Sequence, residues 1–242
     1  SQFLQQLVQV IGAKNDSGAV GQVVDFLGTS DNRALSLSLV RSLGDGLKRA
    51  GSSLDKLAGV KKIFALANQV ASDNKASEAT RLQAIQLLAL SNFAESGQTL
   101  FALLNQNQSQ TIQLASVTSL SHFTAPEVAA ELIKNWNSFT PRLRSEALSA
   151  LLARPERATA LLQVIEQGTI RSADLSSPQI KFLTNHRDAT IRKQAAKLFA
   201  ATSTSQRQDV INAFQPALNL PGDVVHGKVI YMERCSSCHR YE

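Results

Sequence analysis

Cysteine is nearly absent from this chain, with two residues in 242. That excludes a disulfide framework as the source of its stability. Aromatic residues are also sparse, at 5% with one Trp and two Tyr. A Leu- and Ala-rich chain with so few rings favours many small helix–helix contacts over one large aromatic core. Six prolines and twelve glycines are too few for a fibrous or disordered chain. No run approaches the ~18 apolar residues of a membrane-spanning helix. The first third has no period-two alternation long enough for a strand. Charge of one sign is not concentrated either. The net charge of +6 comes from 25 basic and 19 acidic residues, and the basic ones are spread along the chain. A solvated surface is therefore expected, and no nucleic acid partner. No leader segment is visible, but Ser1-Gln2-Phe3-Leu4 begins inside an apolar helical pattern without Met. That start reads as cut, so it sets no compartment.

What is present is helical periodicity. Residues 2–12 (Phe3, Leu4, Leu7, Val8, Val10, Ile11) and 19–28 (Val20, Val23, Val24, Phe26, Leu27) carry apolar positions at helical spacing. Gly12 and Gly28 fall where each pattern stops. Residues 32–43 and 54–72 continue it, with Gly44-Asp45-Gly46 and Gly51-Ser52-Ser53 as separators. From residue 80 the chain repeats itself. Thr80–Leu88 aligns with Ile112–Leu120, Leu143–Leu151 and Ile191–Phe199, at offsets of 32, 31 and 48 residues. Position five of each copy is small, and positions six and nine are apolar. A second helical stretch follows each of the first three copies, at Leu100–Leu104, Val128–Trp136 and Ala158–Ile165. Helix pairs that cannot bury their apolar stripes alone stack into a solenoid. The expected fold is all-α, an α-α superhelix. Residues 1–79 form degenerate helical pairs, and 80–220 the repeats with a capping helix at 206–219. The long last interval predicts an inserted helix at Ser177–Thr184. The pattern over about residues 80–201 resembles HEAT repeats, a fold that serves mostly as a binding surface.

Pro216 and Pro221-Gly222 break the pattern. Beyond them lies Cys235-Ser236-Ser237-Cys238-His239, the attachment pattern of a c-type haem. On a helix, Cys235, Cys238 and His239 share one face. Two sulfurs can then form thioethers with the haem vinyl groups while the imidazole binds iron from the same side. Gly222–Tyr231, leading into the cysteines, resembles the first helix of a class I cytochrome c. Gly227, Tyr231 and Cys235 recur every four residues, and in that family this stripe packs on the domain's C-terminal helix. Residues 221–242 are thus expected to be the N-terminal piece of a cytochrome c domain. Residues 223–238 should be helical, without haem here, and lean on the last repeat or on a neighbour. Helical pairs, the Pro-Arg-Leu-Arg…Leu-Leu-Ala-Arg-Pro-Glu stretch (141–156) and the terminal motif together resemble the haem-binding, membrane-bound dehydrogenase-type proteins of planctomycetes. That resemblance implies a periplasmic or otherwise extracytoplasmic oxidoreductase. In it the repeats position a haem c domain relative to a dehydrogenase domain or redox partner protein.

Other chemistry is thinner. A zinc site from Cys235, Cys238, His239 and His226 would draw its ligands from one short helix, a poor tetrahedron. A thioredoxin-like pair lacks its strand context. Gly222-x4-Gly227-Lys228 has Val229 where a phosphate loop needs a hydroxyl. Met232 precedes Cys235 by three residues and cannot reach the far haem face. His122 and His186 read as turn residues, and Trp136 as a packing residue. Arg81, Arg144 and Arg192, at position two of the repeat, read as an ion-pair ladder with residues such as Glu146, or as a surface for an acidic partner. No nucleophile–base–orienter set is evident, so the chain itself is not expected to be an enzyme. The competing reading is an interaction scaffold with no redox role. A HEAT-like DNA glycosylase is disfavoured by the shortage of aromatics.

Overall fold

The computed structural model describes residues 2–30, 32–57, 59–203, 205–236 and 239. They form helices α1 (Gln2–Lys14), α2 (Ser17–Thr29), α3 (Arg33–Arg49), α4 (Val60–Ser72), α5 (Glu78–Leu88), α6 (Phe93–Ala102) and α7 (Gln110–Ser121). Then follow α8 (Glu127–Lys134), α9 (Pro141–Leu152), α10 (Pro155–Glu166), α11 (Ser177–Thr184), α12 (Ala189–Ser203), α13 (Ser205–Phe214) and α14 (Val224–Arg234). No strand occurs among the described residues, and the fold is the expected all-α solenoid. Most starts are written in the sequence as caps. Asp16, Asn32, Ser77, Asn92, Ser109 and Thr140 each accept a first-turn backbone N–H, satisfying a donor that has no partner inside the helix.

The helices alternate between two layers. One stacks α1 on α3, α3 on α5, α5 on α7 and α7 on α9; the other stacks α2 on α4, α4 on α6 and α8 on α10. The core runs between the layers as a continuous line of Leu, Ile, Val and Ala, as expected when each pair can bury its stripe only against neighbours. Repeat position five (Ala84, Ser116, Ala147) is buried because adjacent helices approach closely there. Ser116 is tolerated because its hydroxyl donates to the Leu100 carbonyl at 2.5 Å.

Three expectations need correction. The Gly44-Asp45-Gly46 separator does not break the chain, since α3 runs through it. These glycines serve contact instead. A Cβ on Gly46 would lie 2.2 Å from the Gln9 carbonyl oxygen, and one on Gly12 2.4 Å from that of Leu43. The fourth sequence copy does not continue the layer of α5, α7 and α9, because α12 packs chiefly on α10 and α11. The inserted helix α11 packs on α12, and position six of that copy, Ala196, is exposed. Finally, the expected capping helix leaves Val210, Ile211 and Phe214 of α13 exposed.

Candidate haem attachment site

The strongest chemical motif begins at the end of α14. Asp223 starts this helix by accepting the His226 N–H at 3.0 Å. Arg234 is its last helical residue, and Cys235 is the cap. The helix expected over 223–238 therefore runs from Val224 to Arg234 among the described residues, and no unbroken helix carries Cys235 and His239 on one face. A closed turn brings them near each other instead. The His239 N–H donates to the Cys235 carbonyl at 2.8 Å, and the Cys235 and Ser236 N–H groups both donate to the Tyr231 carbonyl at 2.9 Å. Cys235 is a free, exposed thiol, and His239 is exposed. Cys238 lies outside the described residues.

Among the described residues, α14 keeps its apolar side chains exposed rather than packed on the repeats. Tyr231 is its one half-buried side chain, and Val225, Val229 and Met232 form an exposed apolar stripe at i, i+4, i+7. Tyr231 turns towards its own loop: its hydroxyl donates to the His239 carbonyl at 2.5 Å. Among the described residues no three His, Cys, Asp or Glu side chains converge as a metal cage. A free thiol and an imidazole one turn away are two of the donors that a c-type haem attachment motif uses.

The remaining candidates have structural roles. Position two of the repeat is a carbonyl clamp. Arg81 Nε donates to Ala71 O at 2.9 Å, and Gln113 Nε2 to Leu104 O at 3.1 Å and Asn105 O at 2.9 Å. Arg144 Nε donates to Trp136 O at 3.1 Å and Arg192 Nη1 to His186 O at 2.8 Å. Each side chain satisfies carbonyls left over where the preceding helix or turn ends. They form no ion-pair ladder: Glu146 accepts instead from the Thr118 hydroxyl at 2.9 Å. Sequence reasoning missed this clamp because Gln113 breaks the run of arginines, although it does the same work. Arg157, also missed, is 1% exposed and donates to the carbonyls of Ser121, Phe123 and Ala150. Burial, then Arg154, lowers its pKa from the usual arginine value.

His122 caps the C-terminus of α7, and its carbonyl accepts from Arg154 Nη2 at 3.1 Å. Burial, then the nearby charges of Lys48 and Arg154, lowers its pKa. His186 packs edge-on against Phe182, ring centroids 5.5 Å apart. Trp136 is buried, as the packing reading requires. At the other end of the stack, Leu4, Leu7, Val8, Ile11, Val23 and Phe26 help line an apolar groove of about 460 Å³.

Fold and repeat geometry define a helical-repeat scaffold. Residues 65–152, from the middle of α4 to the end of α9, match a family model described as HEAT repeats. The match covers three of the four sequence copies and ends before the inserted helix and α14. No characterised protein matches the chain in sequence. Among the described residues no helix is long and apolar enough to cross a membrane.

Proposed function

We propose that this chain is a HEAT-repeat scaffold carrying a c-type haem attachment segment, and that it positions an electron-transfer haem relative to a dehydrogenase domain or redox partner. The observation that carries this reading is the turn from Cys235 to His239, closed by the 2.8 Å hydrogen bond between their backbones. Cys235 and Cys238 would hold the haem, and His239 would ligate its iron. Bound haem supplies a one-electron carrier whose potential its ligands and burial set. In attachment each thiol would add across a haem vinyl double bond, its sulfur and its hydrogen both going to the vinyl group with no net oxidation or reduction. The apolar stripe of Val225, Val229 and Met232 would keep water from one side of the group. Maturation of such a haem belongs to an extracytoplasmic compartment, which the resemblance to planctomycete dehydrogenase-type proteins also supports.

The test is expression of a version extended past Glu242 with a cytochrome c maturation system, followed by denaturing electrophoresis with haem detection and the pyridine haemochrome spectrum. Covalent haem in the parent chain, lost in Cys235→Ser/Cys238→Ser, is the expected result. Folded protein without covalent haem would sink the reading. The second reading, an interaction scaffold without redox role, draws on the apolar groove between α1 and α2. It is the one left standing if no haem is attached.

A further inference from the structure

We propose that Tyr231 is a positioning residue that clamps His239 through its backbone before any haem is present. This deepens the haem-attachment reading and rests on it. Both backbone polar groups of His239 are engaged within the segment. Its N–H donates to the Cys235 carbonyl at 2.8 Å, and its carbonyl accepts the Tyr231 hydroxyl at 2.5 Å. Tyr231 also holds the other side of the turn, since its own carbonyl takes the N–H groups of Cys235 and Ser236, each at 2.9 Å. Ser236 adds a fifth tie through its hydroxyl, which donates to the Met232 carbonyl at 2.7 Å. One residue of α14 thus fixes both the thiol end and the imidazole end of the turn.

The consequence is local preorganisation. With N–H and carbonyl both held, His239 keeps freedom mainly about its side-chain torsions, and its imidazole samples a small arc near Cys235. Groups held in a productive geometry do not have to be ordered at the moment of binding. Phenylalanine would supply the same ring but no donor. The hydroxyl is therefore what separates a clamp from a packing residue, and it explains why Tyr231 alone on α14 is partly buried while the neighbouring apolar stripe is uncovered.

The test compares Tyr231→Phe with the parent chain in two measurements. Without haem, amide hydrogen exchange at His239 should quicken by about three- to tenfold, the worth of one hydrogen bond, while exchange at Val229 and Ile230 in α14 stays unchanged. Equal exchange at His239, or loss of protection along the whole helix, overturns the clamp. With the maturation system, Tyr231→Phe should attach less haem than the parent and show an altered absorption spectrum of the ligated iron. Parent chain without covalent haem defeats the attachment reading and, with it, any role of the clamp in attachment. Equal haem yield and an identical spectrum in the two proteins defeat the positioning role alone.

Discussion

The guanidinium of Arg144 holds Trp136 twice: Nε donates to the Trp136 carbonyl at 3.1 Å, and the guanidinium carbon sits 5.4 Å from the indole centroid. The planar fork can do both because stacking uses its face and hydrogen bonding its edge. Lysine has neither the plane nor the fork. Arg144→Lys is expected to lose about 1–2 kcal/mol, read from urea unfolding with Trp136, the single tryptophan, as the fluorescent probe.

Arg81 tests the same clamp in a more buried setting, where its Nε and Nη2 donate to Ala71 O and Gln108 Oε1 at 2.9 and 2.7 Å. Arg81→Met keeps most of the volume and removes the donors. A cost of about 1.5–3 kcal/mol is expected, the range for hydrogen bonds to a charged group. Arg81→Gln should recover part of it, as Gln113 serves the same position one repeat later. Equal stability of the Met and Gln variants would show that the side chain merely fills space.

The α1–α3 contact makes a prediction of opposite sign at different glycines. Gly46→Ala puts a methyl group against the Gln9 backbone, which cannot rotate away, so about 1–3 kcal/mol should be lost. Gly21, inside α2, has nothing within 4 Å of its added Cβ. Gly21→Ala should gain about 0.5–1 kcal/mol, the helix preference of alanine. Thermal unfolding of the two variants checks both signs.

His122 makes stability depend on pH. Its folded pKa lies below the ordinary imidazole value of 6.5, so the unfolded chain takes up the proton first. Its contribution is fully present above pH 6.5, falls as the pH drops from there through the folded value, and is constant below it. Lys48→Ala removes one of the depressing charges and should raise the pKa in an NMR titration. His122→Gln should flatten this part of the stability profile.

Much of the fold was legible because helix pairs advertise themselves through spacing and caps. Ser77, Ser109 and Thr140 stand where α5, α7 and α9 begin, and Ala84, Ser116 and Ala147 mark where layers meet. What could not be read was partner-dependent. Glycine at 44 and 46 signals a break unless something lies against it, the Leu54 and Leu90 side chains at the first and the Gln9 backbone at the second, and only the fold supplies those neighbours. The end of α14 at Arg234 was equally hidden, because the Cys235–His239 spacing suits a helix as well as a closed turn. The site's residue types were plain in the sequence. The link from Tyr231 to the His239 carbonyl was not, since a tyrosine at that spacing reads equally as packing.

The fourth sequence copy gives the sharpest test of how this solenoid departs from regularity. Leu148 and Ala196 occupy the same position six of their copies, yet Leu148 is buried between stacked helices whereas Ala196 faces solvent. The inserted α11 is the physical reason: it fills the space beside α12 and shifts that helix onto α10, so the sixth position loses its neighbour. Leu148→Lys would bury an unpaired charge, and because a buried lysine either stays costly or gives up its proton, unfolding or a loss of at least about 3 kcal/mol is expected. Ala196→Lys should change stability by less than about 0.5 kcal/mol, as for other surface substitutions. Comparable losses in the two variants would mean that α12 stacks in the layer of α9 after all, and that the four copies form one regular array.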